Sequence, residues 1–246
     1  MIQNIKNLIY EALIFRFGRL SRLGLSRNYI YGSGIEIGAM DYPLKVKKGT
    51  VVQYLDRIPR EKQIQIFKDL NKEKLVKVDI VGNGETLDSV EDNSQNFIIA
   101  NHFIEHCQNP ILTIKNFIRV LKNDGVIFMA IPDKRYTFDN PRKITTLDHF
   151  ANDYIDGAAK TEYEHYFDFV KHTSHGKNKS DNDIPDVIKS LKERNFSIHF
   201  HVWDHQSMIE FFCMLKNRFN FKFEILVTVA AQKYSNESIF ILKKTE

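Results

Sequence analysis

Gly34-Ile35-Glu36-Ile37-Gly38 is the stretch on which the fold turns. Apolar residues flank one acid and a glycine follows, so the run reads as a short β-strand closing on a turn. Downstream, Val51 to Asp56 is a second strand, β-branched and apolar, again ending in an acid. Ile58 to Leu70 has helical spacing, with Pro59 suited to the first turn. Val78 to Val81 and Asn96 to Asn101 read as the third and fourth strands. Pro110 to Leu121 is an amphipathic helix stopped by Asn123-Asp124-Gly125, and Val126 to Ile131 is a fifth strand ended by Pro132. Strands alternating with helices predict an α/β fold, a doubly wound, mostly parallel sheet with helices on both faces.

After residue 132 the rhythm breaks. Residues 133–205 are rich in His, Asp, Tyr and Lys and read as an insertion on the substrate side, with a polar loop at 172–186. A helix at 207–219 and apolar runs at 221–230 and 238–243 then predict a C-terminal antiparallel hairpin. Before the first strand, Ile2, Ile5, Leu8, Ile9, Leu13, Phe17 and Leu20 recur at helical spacing, and Arg16, Arg19, Arg22 and Arg27 crowd the far end. The division expected is an amphipathic N-terminal segment, 1–30, and one domain, 31–246. The segment packs on the domain or, through residues 1–27, lies on an anionic membrane surface.

Of the 246 residues, 43% are hydrophobic, which excludes a wholly disordered chain. Lys and Arg number 35 against 31 Asp and Glu, a net +4 without clustering, so a nucleic-acid partner is not expected. Cys107 and Cys213 form no CxxC pair, which suits a reducing compartment. No signal peptide or run of about 18 apolar residues is present. The expected location is cytoplasmic, at the inner face of the membrane if the N-terminal segment binds there. The sequence leaves the oligomeric state open.

Doubly wound sheets bind ligands beyond the carboxyl ends of their strands. Those positions hold Glu36 and Gly38, Asp56, Asn83 and Glu85, and Asn101 with His102. Gly38 permits close backbone approach, and an acid ending the second strand can take the two hydroxyls of a ribose. A dinucleotide would need a Gly-x-Gly-x-x-Gly cradle, which residues 34–39 lack.

Five segments carry a family resemblance: 34–39 (Gly-Ile-Glu-Ile-Gly-Ala), 54–57 (Tyr-Leu-Asp-Arg), 78–87, 99–106 (Ile-Ala-Asn-His-Phe-Ile-Glu-His), and 121–126 with 131–135. Residues 34–132 resemble the class I S-adenosylmethionine-dependent methyltransferases, a Rossmann-like fold. They are most similar to the methyltransferase-domain proteins of bacterial surface-polysaccharide clusters. The resemblance implies S-adenosylmethionine as cofactor, with Glu36 and Gly38 at its methionine and ribose side and Asp56 on the ribose hydroxyls. It also implies Arg57, Asn83 and Glu85 at the adenine and Asn101 on the path to the methyl. The usual second glycine of the first motif is absent, since Gly38 is followed by Ala39-Met40-Asp41.

A hydroxyl acceptor must lose a proton, so a base is expected. His102, His106, His165 and Asp133 are the catalytic candidates. His102, Glu105 and His106 would share one face of a helical turn and could hold a divalent ion, as a similar turn does in methyltransferases of RNA ends. The same string fits an inverted zinc-protease motif, a reading set aside because it begins at a strand end in a cofactor cleft. Lys134, Arg135 and Arg142 could meet an acceptor phosphate. His199, His201 and His205 alternate as on a strand and would share one face. The expected activity is O-methylation of a sugar or phospho-sugar precursor of a surface glycan. The alternatives are another small metabolite, a lipid-linked acceptor, or a non-catalytic scaffold.

Overall fold

The computed structural model describes residues 18, 20–177, 179–232 and 235–246. Its strands are β1 (Ser33–Ile37), β2 (Val51–Asp56), β3 (Ile80–Val81), β4 (Gln95–Ile99), β5 (Leu121–Pro132), β6 (Phe223–Val229) and β7 (Glu237–Lys244). They form one sheet in the order β3-β2-β1-β4-β5-β7-β6. Pairing is parallel from β3 to β5 and antiparallel where β7 lies between β5 and β6. The expected doubly wound sheet with its terminal hairpin is therefore present.

Residues 97–100 and 126–132 are buried without interruption, as central strands covered on both faces must be. Gly34 is required where β1 meets β4, because a Cβ there would lie 2.3 Å from the Phe97 carbonyl oxygen. Helices α1 (Arg22–Tyr29), α2 (Arg60–Ile66) and α3 (Pro110–Val120) precede β5. Helix α3 starts as its sequence directs: Asn109 Oδ1 accepts from the Leu112 amide and Pro110 opens the first turn. Its face of Ile111, Ile114 and Phe117 is buried on the sheet, each side chain contributing about 1.5–3 kcal/mol.

The predicted helix at 2–23 lies almost wholly outside the described residues. Leu25 and Ile30, from α1 and just after it, enter the core formed by Phe97, Phe128, Ile239 and Ile241, on the far sheet face from α3. No helix among the described residues is long and apolar enough to cross a membrane.

The insertion is more helical than expected. It holds α4 (Leu147–Asn152), a π-turn at Asp153–Gly157, α5 (Glu162–His172) and α6 (Ile184–Glu193), before α7 (His205–Phe219) returns to the sheet. Ile184, Ile188 and Leu191 pack with Tyr166, Phe169, Val170 and Phe200 into a separate small core. Residues 198–204 are extended but not part of the sheet, and the Phe200 amide donates to the Glu105 carbonyl at 2.8 Å.

Candidate functional site

Strand order reverses between β1 and β4, so a crevice opens beyond their carboxyl ends. Gly38 sits there with φ +64°, and a Cβ built on it meets nothing within 4 Å among the described residues. Asn101 follows β4. Its Oδ1 accepts from the Ala130 amide at 3.0 Å, which fixes the side chain, while its buried Nδ2 finds no partner among the described residues. Asp56 ends β2 and accepts from the Ile58 amide at 3.1 Å. Glu85 is half-buried, and desolvation pushes its carboxyl up. Asn83 Oδ1 accepts from the Glu85 amide at 2.8 Å, an Asx turn that sets the loop. Arg57 is exposed, and its guanidinium donates to the Asn195 carbonyl at 3.3 Å.

Glu36, 2% exposed, accepts from the Leu44 amide through Oε1 at 2.9 Å and Oε2 at 3.1 Å. Burial raises its pKa to about 7, against the lowering effects of the Leu44 amide and of Arg22. A carboxyl raised in the folded state is protonated without penalty below its unfolded pKa, and carries its full desolvation cost above about pH 7. Glu36→Gln removes that charge while keeping an acceptor for Leu44. We expect the ligand-free variant to be more stable than the wild type at pH 8 by up to about 3 kcal/mol, an advantage that vanishes by about pH 4.5. Urea unfolding at both pH values measures this, and an equal difference at both would refute the assignment.

The turn after β4 separates residues that the sequence placed together. His102 has φ +48° and turns away, with Nε2 2.8 Å from Glu237 Oε2 and Nδ1 3.4 Å from Glu105 Oε1. Glu237 also pairs with Arg22. Burial lowers the His102 pKa, but the Glu105 and Glu237 carboxylates beside the ring outweigh it and raise it to about 9. The ring is then an imidazolium at neutral pH with no lone pair to offer. We therefore reassign His102 from base and metal ligand to ion-pair partner.

His106 stands differently. Its Nδ1 donates to the Ile198 carbonyl at 2.9 Å, with Ser197 Oγ at 3.0 Å, so in the neutral ring the lone pair is on Nε2. Burial lowers its pKa, partly opposed by Glu105. Glu105 is fully buried, and neither carboxylate oxygen finds a hydrogen bond among the described residues. His199 completes the group: its ring lies 4.7 Å from that of His106 and its Nδ1 is 2.6 Å from Asp139 Oδ2. Glu105, His106 and His199 present ligand atoms within 4.8 Å of one another, so this trio, rather than the expected one with His102, could hold a cation. Phe138, 55% exposed, lies 4.7 Å from the His199 ring and extends the wall outward.

Three further expectations change. Asp133 is buried and saturated, because its carboxylate accepts from the Arg135 guanidinium at 2.9 and 2.7 Å and from the amides of Arg135 and His205. The Arg135 contacts outweigh burial and lower its pKa, so it is a structural anion rather than a base. Arg142 is buried against Asp139 and Asp168, and Lys134 donates to the Asn140 carbonyl. Arg142 is thus committed to a buried ion pair, while Arg135 pairs with Asp133 from a half-exposed position. His199, His201 and His205 do not share one face: His199 joins His106, His205 meets Thr228, and His201 joins a second group with His165. His165 thus stands apart from the His106 trio.

His199 and Asp139 were missed as site residues. The His199-x-His201 alternation showed an extended run, but its partners are remote in sequence and follow only from the packing of the insertion.

Residues 37–129 match the family model described as a methyltransferase domain. This span carries the ends of β1, β2 and β4 and the His106 turn. Over those residues the chain is similar to methyltransferase domains. No curated protein sequence matches the chain. Among solved structures, a provisionally assigned zinc-dependent alcohol dehydrogenase from Rhodobacter sphaeroides has TM-score 0.53 at 11% identity, covering 88% of this chain and 85% of that one. A provisionally assigned S-adenosyl-L-methionine-dependent methyltransferase from Methanococcus maripaludis has TM-score 0.45 at 16% identity, with coverages of 97% and 84%. A SAM-dependent methyltransferase from Methanosarcina mazei has TM-score 0.45 at 16% identity, with coverages of 89% and 95%. At 11% identity the first of these likenesses speaks for the fold alone, and the similarity to methyltransferases rests on the match over residues 37–129.

Proposed function

We propose that the methyltransferase acts on a hydroxyl of a sugar or phospho-sugar precursor of a bacterial surface glycan, with His106 as its base. The observation that carries this reading is the His106 tautomer: Nδ1 is committed to the Ile198 carbonyl, which leaves the lone pair on Nε2, and the buried Glu105 carboxylate lies close to the ring. The Phe138 face next to it suits stacking of a sugar ring. The similarity of the five strand-end segments to polysaccharide-cluster proteins supports the choice of sugar.

The crevice fits the cofactor. Gly38 leaves open space and Asn101 Nδ2 is an unused buried donor. S-adenosylmethionine, when bound, supplies a methyl group on a sulfonium. Glu36 and Gly38 would hold its methionine and ribose side, Asp56 the ribose hydroxyls, and Arg57, Asn83 and Glu85 the adenine. Asn101 would orient the methyl toward the acceptor, and His106 would take the hydroxyl proton onto Nε2. The adjacent Glu105 carboxylate stabilises the imidazolium so formed.

Incubation with labelled cofactor and a panel of nucleotide-sugars and lipid-linked glycan precursors, with and without chelator, tests the acceptor. Transfer to none of them, with S-adenosylhomocysteine bound tightly, would overturn the sugar reading and leave the cofactor reading intact. Asp56→Ala should weaken S-adenosylhomocysteine binding about 10- to 150-fold for each hydrogen bond lost, at about 1.5–3 kcal/mol apiece. Calorimetry giving the same Kd would show that the ribose lies elsewhere.

A further inference from the structure

His149, Asp153, His165 and His201 form a second cluster, away from the trio of His106 and made entirely by the insertion. His149 lies on α4, Asp153 in the π-turn, His165 on α5 and His201 on the extended segment. His149 Nε2 is 3.1 Å from His165 Nε2 and 3.1 Å from Asp153 Oδ2, and His165 Nε2 is 3.5 Å from that same oxygen. His201 Nε2 is 3.9 Å from it, and all four ligand atoms fall within 4.8 Å of one another. Four ligands held tetrahedrally at about 2.0–2.1 Å from a zinc ion stand about 3.3 Å apart. The first three spacings bracket that value.

The surroundings favour an ion over a plain hydrogen-bond network. Asp153 is 1% exposed, yet Oδ2 makes no hydrogen bond among the described residues despite the imidazoles around it. Its other oxygen accepts from Thr161 Oγ1 at 2.6 Å. His165 Nδ1 donates to the Phe200 carbonyl at 2.7 Å, which leaves Nε2 as a lone pair facing the cluster. His201 Nε2 lies 3.2 Å from the Gln108 carbonyl, and to act as a ligand it would give up that contact and its proton, which the ring can carry instead on the buried Nδ1, a nitrogen with no partner among the described residues. Carbonyl and hydroxyl contacts of this kind orient metal ligands from behind. A proton on His149 Nε2 can serve either His165 Nε2 or Asp153 Oδ2 but not both, so one buried acceptor is left over, which is costly unless a cation joins the group.

We propose that these four residues bind a divalent transition ion of the zinc class as a structural site. All four positions are filled by protein, as in closed structural sites, and the ligands come from four successive segments of the insertion. The ion would tie α4, α5 and the segment carrying His199 into one unit.

The full chain, made with a tag lacking histidine, should contain about one equivalent of zinc by elemental analysis. Chelator treatment should remove it and lower Tm, and cobalt(II) added to the stripped protein should give the intense visible absorption of a four-coordinate site. His149 is the most accessible ligand, its side chain 27% exposed, so His149→Ala disturbs packing least. Asp153→Asn keeps the volume as a second variant. Each should weaken cobalt binding more than about 100-fold, beyond the loss typical of an outer contact. Glu105→Gln and His106→Ala should leave the cobalt spectrum unchanged. Absence of zinc and cobalt binding, or binding lost with His106→Ala and kept in His149→Ala and Asp153→Asn, would overturn the site.

Discussion

His106→Ala should lower kcat about 10²- to 10⁴-fold, the usual contribution of a positioned general base, while S-adenosylhomocysteine binds within a factor of two of the wild type. The split follows from position, because the proposed cofactor contacts lie at the ends of β1, β2 and β4, and His106 faces the insertion. The pH profile provides an independent readout. Burial lowers the His106 pKa below that of a free imidazole, so the lone pair is present at neutral pH and is lost as pH falls through that lowered value. Wild-type kcat/KM should therefore rise with pH along a limb below about 6.5 and then level off. The limb should be missing from His106→Ala. Glu105→Gln should move it to still lower pH, because the carboxylate is what holds the ring's pKa up. If turnover in His106→Ala stays within fivefold of the wild type, the histidine only packs the turn and the base lies elsewhere.

The sheet was legible in the sequence and the histidine chemistry was not, for one physical reason. A strand such as Phe97-Ile98-Ile99 is buried on both faces, so its apolar run is a local signal, and the acid or glycine at its end is local too. Glu36, Asp56 and Asn101 could be placed because topology puts every parallel strand end on one edge. The groups around His106 depend on how a long insertion folds back. His102 and His106 are neighbours on paper, yet a left-handed residue at 102 sends the first onto Glu237 of β7. His106 instead meets Ser197, Ile198 and His199. The polar stretch at 172–186 looked like loop because its helix-forming apolar residues, Ile184, Ile188 and Leu191, begin only at its end. Asp133 looked catalytic as an acid after a strand, but Arg135 two residues on takes both of its oxygens.

Arg142→Ala should be the most destabilising single change in the insertion, by about 3–5 kcal/mol, as for other buried ion pairs broken from one side. Arg142 is 1% exposed, and no water layer shields it. Its Nε donates to Asp168 at 2.7 Å, one terminal nitrogen to Asp139 at 2.8 Å and the other to the Phe200 carbonyl at 3.4 Å. The guanidinium also lies over the Phe169 ring. Removing it leaves the Asp139 carboxylate buried with His199 as its remaining side-chain partner. For a chain of this size the loss corresponds to a drop in Tm of about 6–20 °C. Lys134→Ala, which removes a surface cation from the same loop, should stay within about 0.5 kcal/mol of the wild type. Arg142→Lys keeps the charge but cannot reach all three acceptors, so it should fall between the two. The effect should also reach the site, because Asp139 then keeps His199 as its one side-chain partner among the described residues. Calorimetric melting of the three variants decides the matter. An Arg142→Ala protein melting with the wild type would mean that the buried Arg142–Asp139 pair and its half-exposed Asp168 partner hold nothing together.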